Sequence, residues 1–336
     1  MMYRTTMLVP VHEHSQVAEA RRLAVGVASH IGLSDQQIGN VGIVATELAT
    51  NLIKHARSGE IWISPLSLMQ GNCLDVVATD TGPGFADVSR ALEDGYSTAG
   101  SSGTGLGAVR RLSSKFDVSS FAGTGAAVHA RFLERKGSYD PEFGVICLPL
   151  KTERVSGDNW FFREGRSHDM IAVVDGLGHG PGAAEAADTA ISHLKTVPVD
   201  GEPAEILKDL HGRLRATRGA AISICRIEKD RGLVRCAGVG NVAVSVLTGP
   251  ENRRSLPTNN GTIGHSISRI QEFSCPVNKG DLLVVHSDGL ISNWELPKWP
   301  GLFSRTPALI AALLCCKNRR ERDDATVVVR RLGLVA

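Results

Sequence analysis

The sequence has no run of about 18 or more apolar residues, the length a membrane-spanning helix needs, so no helical membrane protein is expected of it. Residues 1–11 lack the charged-then-apolar pattern of a secretory leader, and the expected location is the cytoplasm. Net charge is nearly absent. The 37 basic residues stand against 35 acidic ones, leaving +2, so no broad electrostatic surface for nucleic acid or an anionic membrane is expected. A protein or a small molecule is the expected partner. The seven cysteines, Cys73, Cys147, Cys225, Cys236, Cys275, Cys315 and Cys316, contain no CxxC pair and no histidine spacing suited to zinc. Lying mostly in apolar strings, they read as small buried hydrophobes in a reducing compartment. No internal repeat or low-complexity tract is visible.

What is present is ordinary globular material, 42% hydrophobic and 21% charged. At 336 residues the chain exceeds the usual reach of one core, and two domains of roughly 130 to 200 residues are expected. The stretch 134–143 (ERKGSYDPEF) mixes charge, glycine and proline without an apolar period and reads as the linker. A boundary near Lys136 gives domains 1–136 and 137–336.

In the first, an extended start at 6–11 precedes a helix at 15–29. Ser34 reads as the N-cap of a second helix, in which Ile38, Val41, Val44, Leu48 and Leu52 form one apolar stripe. Strands are expected at 61–67 and 73–79, a helix at 109–115, and a closing hairpin at 116–120 and 126–133. That is an α/β layer pattern. Beyond the linker come short β-rich strings at 145–150, 170–174, 221–227, 242–247, 281–286 and 326–331. Helices are expected at 182–195 and 203–215, giving helices packed on an antiparallel sandwich.

Three pieces of the first half carry chemistry. Glu47 and Asn51 are four apart and leave one helix face, where an amide oxygen can hold a hard cation and a carboxylate can accept a proton. Asp80-Thr81-Gly82-Pro83-Gly84 ends a strand: the aspartate can accept a hydrogen bond from an exocyclic amine, and glycines let backbone approach a planar base. Ser101-Ser102-Gly103-Thr104-Gly105-Leu106-Gly107 precedes a helix whose free N–H groups suit phosphate. ELATN, DTGPG and GTGLG, in that order, closely resemble the N, G1 and G2 boxes of the GHKL ATPase superfamily. EDGYST at 93–98 and the following SSGTGLGAVRRL narrow the resemblance to RsbT-like serine switch kinases of bacterial stress signalling. The resemblance implies ATP with Mg²⁺, Asn51 on the ion, Glu47 as catalytic base and Asp80 on adenine. Gly82, Gly84, Gly103, Thr104, Gly105, Leu106 and Gly107 would shape the pocket, with Lys54 and Thr124 as further contributors.

In the second half, acidic residues stand at the ends of apolar strings: Asp158, Asp175, Asp288 and the pair Asp323-Asp324. Carboxylates gathered at one edge would repel unless cations neutralised them, and hard ligands favour Mg²⁺ or Mn²⁺. VSGD, VVDGLGHG, HSDGL and RDDAT, in that order, resemble the SpoIIE-like branch of the PPM serine/threonine phosphatases, and Arg218-Gly219-Ala220-Ala221 with Val239-Gly240-Asn241-Val242 is most similar to its RsbX-like members. This implies two Mn²⁺ or Mg²⁺ ions held by Asp158, Asp175, Asp288 and Asp323, with the Gly176 carbonyl and Asp324 as additional ligands. His179 in GLGHG could meet phosphate or cap a helix. His286, within an apolar string, reads as a core histidine. A basic residue to hold substrate phosphate is not identifiable among Lys151, Arg154 and Arg163.

Together the resemblances imply an N-terminal GHKL (Bergerat) α/β sandwich followed by a PPM-type β-sandwich flanked by helices, an α/β (α+β) chain overall. A fused kinase and phosphatase would act on a STAS-domain antagonist or stressosome-like protein. An anti-sigma factor or downstream regulator is a further expected partner. The alternative is an ATP-binding docking module without kinase activity that sequesters a partner and regulates the phosphatase.

Overall fold

In a computed structural model the described residues are 5–56, 58–68, 70–85, 88, 105–134, 140–296 and 299–333. They form two compact units. The first is Met1–Pro141 with Pro297–Cys316, the second Glu142–Leu296 with Lys317–Ala336.

The first unit is built on five antiparallel strands: β1 (Met7–Val11), β2 (Gly59–Leu68), β3 (Gly71–Asp80), β4 (Lys115–Phe121) and β5 (Gly125–Leu133). Their order is β1-β2-β3-β5-β4. Period-two alternation turns Ile61, Ile63, Leu74, Val76, Ala78, Val128, Ala130 and Phe132 to one face. There they share a core with α1 (His14–His30), α2 (Asp35–Asn51) and α3 (Gly105–Leu112). Ser34 caps α2 as its sequence predicts, accepting the Gln37 N–H at 3.3 Å. The helix expected at 109–115 begins earlier, at Gly105. Gly105 and Gly107 enter its first turn, which lets that turn approach α2 closely.

The second unit contains two five-stranded antiparallel sheets and a small hairpin. Its strands are β6 (Phe143–Leu148), β7 (Asp158–Glu164), β8 (His168–Gly176), β9 (Ala220–Glu228), β10 (Leu233–Val239), β11 (Ala243–Leu247), β12 (Arg253–Leu256), β13 (Gly261–Thr262), β14 (Ser266–Ile267), β15 (Glu272–Pro276), β16 (Leu282–His286) and β17 (Ala325–Arg331). The orders are β15-β10-β9-β8-β7 and β12-β11-β16-β17-β6, with β13 pairing β14. Phe143 of one sheet stacks on Phe162 of the other, ring centroids 4.4 Å apart. On the outer face of the first sheet, Phe161, Met170, Ala172 and Val174 pack with Ala187, Ile191 and Leu194 of α4 (Pro181–Leu194) and with Leu207 and Leu210 of α5 (Pro203–Arg213).

A last helix, α6 (Pro307–Asn318), has no counterpart in the sequence reading. Its residues through Cys316 belong to the first unit. They lie toward the sheet face that carries Trp62, Asp75, Thr79, His129 and Arg131, all buried. Thr306 Oγ1 is 2.9 Å from His129 Nδ1, the Thr306 N–H donates to Asp117 at 2.6 Å, and Thr79 Oγ1 is 3.8 Å from Cys316 Sγ. All seven cysteines are free and six are buried. No helix among the described residues is long and apolar enough to cross a membrane.

Candidate functional sites

In the first unit the conformation of α2 decides where its polar face ends. After Asn51 the helix widens into a π turn, Leu52–Ala56, a departure from regular hydrogen bonding often found at functional positions. Glu47 and Asn51 are half-buried and Lys54, inside the turn, is exposed. The start of α3 comes against them. A side chain on Gly105 would lie 3.5 Å from Asn51 Nδ2 and 3.6 Å from Glu47 Oε2. Residues more than fifty positions apart thus line one depression, with Leu106 and Gly107 buried behind it.

The DTGPG segment adjoins the same turn. A Cβ on Gly82 would stand 2.9 Å from Ala56 Cα. Asp80 Oδ1 accepts the Gly82 N–H at 2.8 Å and the Ala126 N–H at 3.3 Å, which fixes the carboxylate at the strand end. Gly84 takes φ +70°, and a side chain there would meet Phe121 O at 2.7 Å. Glycine is required on both counts. The β4–β5 turn closes over this loop through Gly123 N–H to Pro83 O, 2.8 Å. Thr124 spends its hydroxyl within that turn, on Phe121 O. Gly103 and Thr104, together with the EDGYST segment, lie outside the described residues.

In the second unit, strand ends from both sheets deliver the acidic residues. Asp158 opens β7 and sits opposite Asp175 in the β7–β8 register. Asp288 follows β16, and Asp323 and Asp324 precede β17. Ser287, quoted only within the HSDGL motif, joins the sheets here. Its hydroxyl donates to Asp158 Oδ2 at 2.6 Å and accepts the Thr326 N–H at 3.0 Å. Asn241, quoted only as part of a motif, donates to Asp288 Oδ2 at 2.6 Å. Neither residue type stands out in a sequence, since serine and asparagine are common in turns.

Burial pushes the Asp158 carboxyl well above the usual carboxylate range, opposed by the Ser287 hydrogen bond and reinforced by Asp324 and Asp323. Asp175 is raised by burial and then by Asp158, Asp288, Asp323 and Asp324. Asp323 is raised by burial and by Asp288. The five aspartates are therefore within electrostatic reach of one another, the condition that a divalent cation relieves. Among the described residues no three His, Cys, Asp or Glu side chains are drawn into a closed metal cage. Asp324 commits both oxygens to backbone, accepting Leu150 N–H at 2.8 Å and Gly157 N–H at 2.9 Å. Close packing demands the glycines around it: a Cβ on Gly289 would fall 1.9 Å from Asp324 O, and one on Gly176 2.2 Å from Ala183 O.

The remaining sequence candidates separate clearly. His179 is exposed and its Nδ1 is 2.7 Å from Glu153 Oε1. His286 is buried with both ring nitrogens engaged, one by Ser287 O and the other by the Trp294 indole N–H, and burial lowers its pKa. Arg163 donates to the carbonyls of Leu194, Lys195 and Val197 and so closes the C-terminal end of α4.

Comparison with known proteins finds two families along the chain. The profile of the histidine kinase-like ATPase domain matches residues 11–132, and that of stage II sporulation protein E (SpoIIE) matches residues 166–333, half of the chain. The serine/threonine-protein kinase RsbT of Bacillus subtilis (strain 168) is 34% identical over 114 residues, 34% of this chain and 86% of RsbT. A solved chain from work on the bacterial stressosome, described as a modular system adapted to control secondary messenger signaling, superposes with TM-score 0.51 and 28% identity. It covers 57% of this chain and 99% of its own. RsbX in complex with magnesium aligns at TM-score 0.49 and 21% identity over 56% of this chain and 94% of its own. The chain belongs, through its second half, to the SpoIIE family of PPM-type protein phosphatases, and its first half is a histidine kinase-like ATPase domain related to the serine/threonine kinase RsbT.

Proposed function

We propose that this protein is a bifunctional partner-switching regulator, in which an ATP-dependent serine kinase module and a metal-dependent phosphoserine/phosphothreonine phosphatase act in opposite directions on a STAS-domain protein. The observation that carries the phosphatase reading is the convergence of Asp158, Asp175, Asp288 and Asp323 from the ends of separate strands. Asp158, Asp175, Asp288 and Asp323, with the Gly176 carbonyl, would hold two Mn²⁺ or Mg²⁺ ions. Such ions supply Lewis acidity and an activated water for in-line attack on a phosphoryl group. A ligand set shared between two ions need not crowd three side chains onto one.

The protein's own residues do the positioning. Ser287 aims Asp158, Asn241 aims Asp288, and Asp324 anchors the Gly157 and Leu150 backbones while each of its oxygens keeps a lone pair for an ion. In the first unit Asn51 would hold the nucleotide's Mg²⁺, and Glu47 would take the proton of the acceptor hydroxyl as phosphate is transferred. Asp80, fixed by two backbone amides, would receive the exocyclic amine of adenine. Gly105 at the start of α3, with Gly103 and Thr104 before it in the sequence, would lie along the phosphates. Lys54 on the π turn and Thr124 in the hairpin would border the nucleotide.

The test is Mn²⁺-dependent hydrolysis of a phosphoserine protein. Asp175→Asn removes a ligand while leaving the first unit unaltered, so hydrolysis is expected to disappear and ATP binding to persist. Hydrolysis at the wild-type rate in this variant would remove the metal assignment.

A further inference from the structure

Of the basic residues the sequence offers for holding substrate phosphate, Arg163 is bound to the end of α4, and Lys151 faces Glu321 at 3.7 Å on the open surface. A different arginine is better placed. Arg218 lies two residues before β9, and its neighbour Gly219 accepts the N–H of Leu177, one residue beyond Gly176, at 3.0 Å. The Arg218 carbonyl is held in turn by His265, whose Nε2 lies 2.8 Å away. Backbone bonds thus fix Arg218 beside the loop that follows Asp175.

Its side chain runs across that loop. Arg218 Nη1 is 3.5 Å from His179 O. A Cβ on Gly182 would stand 2.6 Å from Arg218 Nε and 2.8 Å from Cζ, and one on Gly178 would stand 3.5 Å from Nη1. The glycines of GLGHGPG therefore leave bare backbone on which the guanidinium rests. Among the described residues, the only hydrogen-bond partner of its guanidinium is the neutral His179 carbonyl. The charge is exposed and forms no ion pair among the described residues, and it lies on the loop that follows Asp175.

We propose that Arg218 binds the phosphoryl oxygens of the phosphoserine or phosphothreonine substrate, a role that rests on the phosphatase reading above. The planar fork of a guanidinium donates paired N–H groups to phosphate oxygens, which a lysine ammonium cannot reproduce. The GLGHG loop serves as its platform.

The experiment uses the full chain with Mn²⁺, a phosphoserine peptide as substrate and inorganic phosphate as competing ligand, with phosphate affinity also read by calorimetry. Arg218→Ala is expected to raise both the KM for peptide and the Ki for phosphate by roughly ten- to a hundredfold, the size of a lost charge-assisted hydrogen bond. The kcat should fall less, and the Mn²⁺ concentration for half activation should not move. Arg218→Lys should restore part of the phosphate affinity. Gly182→Ala, well suited to a helix's first turn, should displace the guanidinium and raise the Ki in the same direction. Arg154→Ala should leave the Ki unchanged. An unaltered phosphate Ki in Arg218→Ala overturns the assignment, as does a shift seen in Arg154→Ala instead. A wild-type protein that hydrolyses nothing overturns the phosphatase reading itself, and the role of Arg218 with it.

Discussion

Asp75 illustrates how much of the first unit depends on one buried charge. Fully enclosed, it accepts two hydrogen bonds from Arg131, at 2.7 and 2.8 Å, and one from His129 at 2.9 Å. Burial alone would raise its pKa, but the Arg131 guanidinium and His129 outweigh burial and leave it well below the usual carboxylate range. The sign follows. A depressed folded-state pKa contributes stability above the unfolded value near about 3.9, and that stability is lost as pH falls below it. Asp75→Ala should destabilise the β3–β5 region by about 3 kcal/mol at neutral pH, because the buried Arg131 loses its bidentate partner and keeps only the partly exposed Asp140 and the Pro141 carbonyl. The gap from wild type should narrow below about pH 4, as the wild-type carboxylate starts to lose its advantage. Hydrogen exchange of β3 and β5 amides across pH measures both, and equal protection in the two proteins at pH 7 would refute the account. Asp75 has no motif to mark it in the sequence, where it is one polar residue within a strand expected at 73–79. By contrast Asp158, Asp175, Asp288 and Asp323 stand out in the sequence as candidates only as a set, through the order of their four motifs, since a single aspartate before glycine is commonly a turn. Ser287 and Asn241 acquire meaning only when the sheets bring them to Asp158 and Asp288.

Among the elements, α6 shows where periodicity fails. Its sequence PALIAALLCCKN is apolar almost all round, and the helix is buried along nearly its whole length. A helix with no polar face leaves no 3.6-residue stripe to detect, whereas α2, half-solvated, displayed one. The strand β7 was missed for a related reason, its first five residues being buried without alternation. What starts α6 is a local device: Pro307 stands in its first turn, where a missing N–H costs nothing, and Thr306 is held by Asp117 and His129. Replacing Thr306 by valine keeps the shape and the backbone bond to Asp117 but removes the hydroxyl facing His129. The expected cost is about 1 to 3 kcal/mol, that of a buried polar group losing its partner, seen as faster exchange in the first turns of α6. Serine at this position should restore protection. Equal exchange in the valine variant would show that apolar packing alone seats the helix.

For the whole molecule, the opposed chemistry of the two halves makes a prediction that neither half makes alone. On the proposed function, with γ-labelled ATP and a STAS-domain acceptor, label placed on a serine by the first unit would be a substrate for the second. Wild-type protein should therefore give a low, transient level of labelled acceptor. Asp175→Asn should let the label accumulate, because transfer continues without hydrolysis. Glu47→Ala should give no label, and neither should Glu47→Ala combined with Asp175→Asn. A docking module without kinase activity gives a different pattern: no label in any of the four proteins, with ATP still bound and the acceptor still retained. Accumulation in Asp175→Asn that survives the loss of Glu47 would instead place the transferring base elsewhere. The ordering of the variants, not any single rate, is what the fusion of these two sites requires.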